Sequence, residues 1–341
     1  MRKQLINAVQ YMLFLGLGIF LLWLSATHLS EENKAHLFEA LKGARYWLIV
    51  PVMVLLLLSH YIRALRWNIL IRPLGYRPAV RFTFIATLLG YFFNLFVPRL
   101  GEVMKCTILA KQEKIPADKL IGTMVTERAF DFLCLLLIFL ITILIQFDLI
   151  HQFASGQINA VLYAENGELR IFRLLMSLAV VGLLIGVIYW LTRIFSHSKF
   201  MQSVKKILKG VWTGVSSIRH MENKWFFLLH TILIWSLYLI SMRIGFYTMD
   251  AVTHLGFKAA LAILSFGSIA MLATQGGIGA YQYTIQKLLP LYGVEEGPAL
   301  GFGWVLWISQ TGIVIIAGIV CLVLLPVLNQ KKHEILPSNQ A

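Results

Sequence analysis

Apolar runs of roughly 20 residues recur along the chain, and this pattern constrains its fold more than any other feature. A helix of about 20 residues crosses a hydrocarbon core of about 30 Å. Helices are the expected form, because lipid cannot satisfy free backbone hydrogen-bonding groups. The 341 residues are 58% hydrophobic and only 13% charged, about half the charge of an ordinary soluble domain. The sequence therefore predicts an all-α polytopic membrane protein.

The runs predict about six full transmembrane helices and two broken ones. The predicted full spans are 6–26, 46–70, 120–147, 171–191, 225–247 and 298–328. The broken segment 82–110 is interrupted by Pro98-Arg99-Leu100-Gly101-Glu102, and the broken segment 257–292 by a glycine-rich turn. Short apolar pieces interrupted by Pro or Gly are typical of re-entrant hairpins in transporters. The alternative is eight ordinary spans, two of them short.

Basic residues indicate the topology. Most of the 30 Lys and Arg residues lie in the two ends and in segments 63–81, 99–119 and 193–224, which predicts that both termini and these segments are cytoplasmic. In 193–224 the apolar residues fall three and four apart, so an amphipathic cytoplasmic linker is expected.

This topology makes the two hairpins enter from opposite sides of the membrane. Half one (46–147, hairpin 82–110) and half two (225–328, hairpin 257–292) would then form an inverted repeat. Both halves belong to a single transmembrane domain over 1–341.

Charged residues inside apolar segments usually mark a pathway or a binding site. Glu127 and Asp131 stand four apart on one helix face, and Asp131 falls near the membrane midplane. Two such acids repel each other unless a cation or a proton joins them; Arg128, Arg99 and Lys105 are the candidate cations. We expect Glu127 to be structural, paired with an arginine, and Asp131 to be functional. The alternative is an ion network that only holds the broken segment.

Arginines near the first break are candidates for binding an anion. The forked guanidinium of Arg99 matches phosphate oxygens, and we expect Arg99 and Arg128 to bind a lipid phosphate beside Pro98. Arg63 and Arg66 lie on one helix face at a membrane end, which makes them better ligand candidates than the other arginines of 63–81. The alternative for that whole group is topology and headgroup anchoring.

The sequence gives no sign of nucleic-acid binding, metal binding or a cofactor. The net charge is +14, but the basic residues lie between apolar runs, so they indicate topology and contact with anionic lipid headgroups. The nine histidines show no metal-ligand spacing. No catalytic triad, P-loop or dinucleotide-binding fingerprint is present, and no catalytic residue is assigned.

Four motifs together resemble the transmembrane family of the lysylphosphatidylglycerol synthases, a flippase-like domain that also occurs in stand-alone membrane proteins. They cover about 55–290 and are Arg63-x-x-Arg66-Trp67, Asn94-x-x-x-Pro98-Arg99-x-Gly101-Glu102, Thr126-Glu127-Arg128-x-x-Asp131 and Gly276-Gly277-x-Gly279.

The resemblance implies a lipid-translocating fold in the bacterial inner membrane. In bifunctional members this region moves an aminoacylated phospholipid, which a soluble transferase domain makes. Since the chain ends at Ala341, lysyl transfer is not expected. The family's glycine turn follows a proline and precedes a glutamate, whereas here Thr274 and Gln275 precede it and Gln282 stands in place of the glutamate. The lipid and any proton coupling through the second hairpin are therefore open.

The favoured hypothesis is a flippase for an anionic or glycosylated lipid. The alternatives are a membrane-embedded enzyme acting on lipid headgroups, with Glu127 or Asp131 as base, and a non-transporting partner of a lipid- or glycan-synthesis enzyme. The candidate substrate-binding or translocation residues are Arg63, Arg66, Asn94, Pro98, Arg99, Gly101, Glu102, Glu127, Arg128, Asp131, Gly276, Gly277, Gly279 and Gln282.

Overall fold

A computed structural model describes residues 2–27, 29–97, 99–147, 149 and 223–334. Every regular element in this part of the chain is a helix. In chain order the α-helices are α1 (Arg2–Thr27), α2 (Glu31–Lys42), α3 (Ile49–Ile71), α4 (Val80–Phe96), α5 (Leu100–Glu113), α6 (Ala117–Ile145), α7 (Lys224–Gly245), α8 (Phe257–Ala273), α9 (Ala280–Leu288) and α10 (Glu296–Glu334). The predicted span 171–191 and the predicted linker, up to residue 222, lie outside the described residues.

Four of the described helical segments are long and apolar enough to cross a membrane. They are Tyr46–Leu74, Ala117–Ile145, Lys224–Thr248 and Glu296–Leu328, with mean hydropathies of 1.7 to 2.8. The sequence predicts all four within a few residues. The outward faces of α6 and α10 expose large apolar side chains, among them Phe132, Leu136, Ile316 and Val323, as expected of surfaces that lie against lipid.

The helix is interrupted at both predicted breaks. Helix α4 ends at Phe96, and Val97, which precedes Pro98 in the sequence, is extended (φ −135°, ψ 125°), because a residue before proline avoids the helical region. Arg99 takes the left-handed conformation (φ 66°) immediately before α5. At the second break three glycines have positive φ, which residues with a Cβ rarely adopt; they are Gly276, Gly277 and Gly279.

Each broken pair folds back on itself as a two-helix hairpin. In the first hairpin, α4 and α5 approach so closely that a Cβ on Gly101 would collide with the carbonyl oxygen of Gly90. In the second hairpin, α8 and α9 pack at Gly267, where a Cβ would meet the Tyr281 ring at 2.7 Å. Glycine therefore sets the close packing of both hairpins.

Helices α3 and α7 lie antiparallel between the hairpins. The Arg45 amide, just before α3, donates to the Thr248 carbonyl (2.7 Å) at one end of the pair, and Arg66 Nη1 donates to Thr231 Oγ1 (3.0 Å) toward the other. We call these ends the Thr248 end and the Ile71 end.

The bases of the two hairpins are held at opposite ends of the α3–α7 pair. At the Ile71 end the first base packs in an apolar cluster that includes Trp67, Ile71, Phe82, Leu109, Leu120 and Phe227. At the Thr248 end the second packs in a cluster that includes Phe246, Val252, Ala259, Leu288, Leu289 and Phe302. The two hairpin tips consequently meet in the interior, where Gln275 Nε2 donates to the Asn94 carbonyl (2.7 Å).

Candidate functional site

Five ionisable side chains form a buried charge cluster between α3, α5 and α6. Arg66 Nη2 lies 2.6 Å from Asp131 Oδ1, and Lys105 Nζ lies 2.8 Å from Glu127 Oε2. Arg63 Nη1 bonds to Asp131 and lies 3.4 Å from Glu127 Oε1. Residues three or four apart share one face of a helix. The two arginines of α3 therefore face the two acids of α6.

The charge cluster is almost completely removed from solvent. Arg66 is 0% exposed, Glu127 1% and Lys105 3%, and buried charges are tolerated only when they are paired. The Lys105 ammonium also lies 4.0 Å from the centroid of the Trp67 ring, which adds a cation–π attraction. Three cations face two acids, so the charge cluster carries one excess positive charge while it ties three helices together.

The sequence names Arg128, Arg99 and Lys105 as candidate cations and predicts an arginine beside Glu127. The cation nearest to Glu127 is Lys105 at 2.8 Å, with Arg63 and Arg66 at 3.4 and 3.6 Å. Among the described residues, Arg128 and Arg99 form no ion pair with either acid. Arg128 Nε instead lies 3.7 Å from Glu102 Oε1, and its guanidinium lies 5.7 Å from the centroid of the Tyr91 ring. The Arg128–Glu102 pair is about one-third exposed, so it is far better hydrated than the charge cluster.

Side-chain amides fix the geometry of the two tips. Asn94 Oδ1 accepts from the Gly101 amide (2.8 Å), which closes the first tip. Gln282 Oε1 accepts from the Gly279 amide (2.8 Å), which caps α9, as a capping residue at the third helical position does. Trp307 Nε1 donates to the Gly276 carbonyl (2.8 Å) and ties the second tip to α10. These amide contacts therefore hold the shape of the two tips.

A cavity of about 610 Å³ lies where the tips meet, and we call it the central cavity. Helices from both halves line it, and its volume is in the range of ligand sites, roughly 300–1,000 Å³. Asn94, Arg99, Glu102 and Gly276 are the predicted site residues that line it. Arg63 stands behind its wall, where Nη2 donates to the Tyr238 hydroxyl (3.3 Å).

The other predicted site residues do not line the central cavity. Those that the structure describes are Arg66, Gly101, Glu127, Arg128, Asp131, Gly277, Gly279 and Gln282. Pro98 lies outside the described residues. The charge cluster and the central cavity are therefore adjacent sites, and the sequence did not separate them.

Several polar residues of the central cavity lie within segments that the sequence predicts only as apolar. They include His60, Tyr91, Tyr238, Ser241, Gln310 and Thr311. His60 Nδ1 and Thr311 Oγ1 are buried and have no hydrogen-bond partner in the part of the chain that the structure describes. The sequence does contain a pattern that places His60 and Tyr91 near the site. His60 is three residues from Arg63 and Tyr91 is three residues from Asn94, so each shares a helix face with a predicted site residue.

Comparison with known proteins places the chain in a family. The family model of the lysylphosphatidylglycerol synthase TM region matches residues 11–318. The chain belongs to this family. The match includes every predicted site residue and both hairpins, so the charge cluster and the central cavity lie within the region that defines the lysylphosphatidylglycerol synthase TM family. A multi-pass membrane protein is therefore indicated by the family and by the apolar helices alike.

One relative in this family is the UPF0104 membrane protein MJ1595 of Methanocaldococcus jannaschii. It is 31% identical over 86 residues, which are 24% of this chain and 26% of that protein. The chain therefore matches about a quarter of that relative's length. No solved structure matches the chain.

Proposed function

We propose that this protein binds the headgroup of an anionic or glycosylated lipid in the central cavity and moves the lipid between the leaflets of the bacterial inner membrane. The observation that carries the proposal is the composition of the cavity wall, in which the tips of two opposed hairpins bring Arg99, Asn94 and Gln275 to one space of about 610 Å³. The wall of the central cavity is mostly apolar and carries a few charged and polar side chains, as ligand sites usually do. Those polar groups suit a headgroup, while the acyl chains stay in lipid.

The internal likeness of the halves supports two re-entrant hairpins in an inverted repeat. Helices α4 and α8 each have 17 residues. The residues that cap α5 and α9, Arg99 and Gly279, both have positive φ. Because the hairpin bases lie at opposite ends of α3 and α7, a rocking motion of the halves would open the central cavity to one leaflet and then to the other.

Arg99 is the proposed phosphate ligand. It is exposed at the first tip and takes part in no salt bridge among the described residues, so both prongs of its guanidinium are available for a bidentate contact. Arg128, the other arginine expected to bind the phosphate, does not line the central cavity and lies 3.7 Å from Glu102, so the proposed clamp is Arg99 alone. A negatively charged headgroup also suits the excess positive charge of the adjacent charge cluster.

The geometry favours binding and movement over acid–base chemistry. A general base must reach its substrate, whereas the oxygens of Glu127 and Asp131 face buried cations and neither residue lines the central cavity. No observation in the described structure favours the enzyme, and a non-transporting partner of a lipid- or glycan-synthesis enzyme becomes an outcome of the test below.

The test is lipid movement in reconstituted vesicles that contain fluorescent phosphatidylglycerol. We expect Arg99→Ala to slow movement by about 10- to 100-fold, the value of a charge-assisted contact, and Arg99→Lys to slow it too, because lysine keeps the charge and loses the fork. Arg77→Ala, an exposed arginine near the Ile71 end, is the matched control. Unchanged movement in both Arg99 variants would remove Arg99 as the clamp, and a folded wild type that moves no lipid would favour the scaffold alternative.

A further inference from the structure

We propose that the central cavity selects a phosphodiester-linked headgroup rich in hydroxyl groups, such as glycerol or a sugar, and discriminates against a headgroup that carries a free amine. This inference rests on the proposed function and narrows its substrate class. It separates the chain from an aminoacylated phospholipid, whose headgroup is cationic.

The charges around the central cavity disfavour an ammonium group. Arg99 and Glu102 are its oppositely charged lining residues, and Glu102 already faces Arg128 at 3.7 Å. Behind the wall the charge cluster adds an excess cation. An incoming ammonium would therefore meet an excess of cations, while the one acidic side chain among the lining residues, Glu102, is already shared with Arg128. A poorly paired charge in a partly buried site is unfavourable.

Neutral amides stand where an acid would be needed for an amine. Gln275 and Gln310 line the central cavity. Gln282, close to the second tip, has a side-chain oxygen engaged by the Gly279 amide. Neutral amides cannot neutralise an ammonium. The Gln275 nitrogen already donates to the Asn94 and Leu95 carbonyls, so its oxygen is the atom left to accept from a hydroxyl group of a ligand.

Two tyrosine hydroxyl groups also favour a headgroup rich in oxygen atoms. The Tyr238 oxygen accepts from Arg63 Nη2 (3.3 Å), and the Tyr281 oxygen accepts from Gln310 Nε2 (3.3 Å). Because each phenol oxygen is used as an acceptor, each O–H proton remains to be donated. Both tyrosines line the central cavity, so two donors are set for oxygen atoms of a ligand.

Two further polar groups are free to bind a ligand. His60 is 7% exposed and Thr311 9%, both line the central cavity, and His60 Nδ1 and Thr311 Oγ1 lack a partner in the described part of the chain. A buried polar atom left without a hydrogen bond is destabilising. A polyol, in which every hydroxyl both donates and accepts, can satisfy both.

The experiment uses a matched pair of lipids, phosphatidylglycerol and its lysyl ester, which differ only in the aminoacyl group. Their competition for the purified full-length protein is measured by native mass spectrometry, and their movement is measured in vesicles. We expect wild type to bind phosphatidylglycerol at least about tenfold more tightly. Equal binding, or tighter binding of the lysyl ester, overturns the inference even if lipid is moved; selective binding without movement supports the inference and contradicts the proposed flippase.

Two variants at one position test the cause. Gln310→Glu places an acid in the central cavity and should shift the preference toward the lysyl ester by about tenfold or more. Gln310→Leu removes the amide without adding charge, so it should weaken binding of phosphatidylglycerol without that shift. An unchanged preference in Gln310→Glu, with both variants folded, overturns the electrostatic argument.

Soluble glycerol phosphate separates a lipid site from a site for a free phosphate ester. It carries the same headgroup chemistry without acyl chains. If the site binds a lipid, glycerol phosphate should displace phosphatidylglycerol only at a concentration at least about 100-fold higher than that of the lipid. Displacement at equal concentration overturns the lipid as the ligand.

Discussion

At the scale of single residues, the charge cluster joins helices that are far apart in the sequence. Arg63 and Glu127 are 64 residues apart and Lys105 and Glu127 are 22 apart, and all three side chains are buried. Such a group is stable only while it is complete, because removing one partner leaves an unpaired charge in a medium that cannot solvate it. We therefore expect the charge cluster to decide whether α3, α5 and α6 stay together.

Glu127→Gln should lower the melting temperature strongly, since it leaves Lys105 unpaired, and breaking a buried pair destabilises by about 3–5 kcal/mol. Lys105→Met should do the same for Glu127. The double variant should lose less than the sum of the two single variants, because contacting residues couple. Thermal unfolding in detergent measures all three, and strictly additive losses would show that the two groups act independently.

The role of Asp131 is tested by measuring both thermal unfolding in detergent and lipid movement in vesicles. Both of its oxygens lie on buried guanidiniums, yet its side chain is 14% exposed against 1% for Glu127, which fits the proposal that Asp131 takes part in transport. Because Arg63 and Arg66 lose a partner, Asp131→Asn should lower the melting temperature. If Asp131 also takes part in transport, the folded variant should stop lipid movement, and a folded variant with unchanged movement would make Asp131 purely structural.

The sequence could predict the shared face of Glu127 and Asp131 and could name Lys105 as a candidate cation, but it could not predict the two arginines of α3 as their partners. A face follows from the period of a helix, whereas a partner depends on how distant helices pack. Of the three candidate cations, Lys105 lies 2.8 Å from Glu127, whereas Arg128 lies 3.7 Å from Glu102. The sequence predicts the arginines of α3 to be ligands or headgroup anchors, and their role as counterions becomes visible only when α3 is placed against α6.

At the scale of helices, both breaks could be predicted because proline and glycine act locally on the backbone. The meeting of the two tips could not, since no residue of the first hairpin encodes the position of Gln275, about 180 residues later. The close packing of α4 on α5 depends on Gly101, where the absence of a side chain lets two helix backbones touch.

Gly101→Ala should force α4 and α5 apart and lower stability by about 1–3 kcal/mol, the usual effect of overpacking. Its Cβ would collide with the Gly90 carbonyl and lie 2.7 Å from the Asn94 side chain. Gly122→Ala in α6 is the matched control, since nothing lies within 4 Å of its Cβ and alanine favours helix. Melting temperatures compare them, and an equal response of the two variants would show that the first hairpin does not need the close approach.

At the scale of the whole molecule, two observations of different kinds agree on the architecture. The distribution of Lys and Arg predicts that 63–81 and 99–119 lie inside and that 248–258 lies outside. Independently of that charge argument, packing puts Arg72 and Lys114 near the Ile71 end and the start of α10 near the Thr248 end. The distribution of charge predicts which side of the membrane each segment faces, whereas packing shows only which segments share an end of the bundle. An experiment must therefore assign each end to a side of the membrane.

Single cysteines decide the topology. In a background without Cys106, Cys134 and Cys321, we expect Glu295→Cys to react with a membrane-impermeant maleimide added outside intact cells. Lys111→Cys, at the end of α5, should react only after the membrane is opened. Both positions are exposed, so a failure to react reflects the membrane and not burial. Labelling of both from the same side would contradict the mirrored hairpins, because their bases could not then enter from opposite faces. Labelling with the sides exchanged would keep the inverted repeat and reverse the orientation predicted from charge, leaving the central cavity between the same two tips.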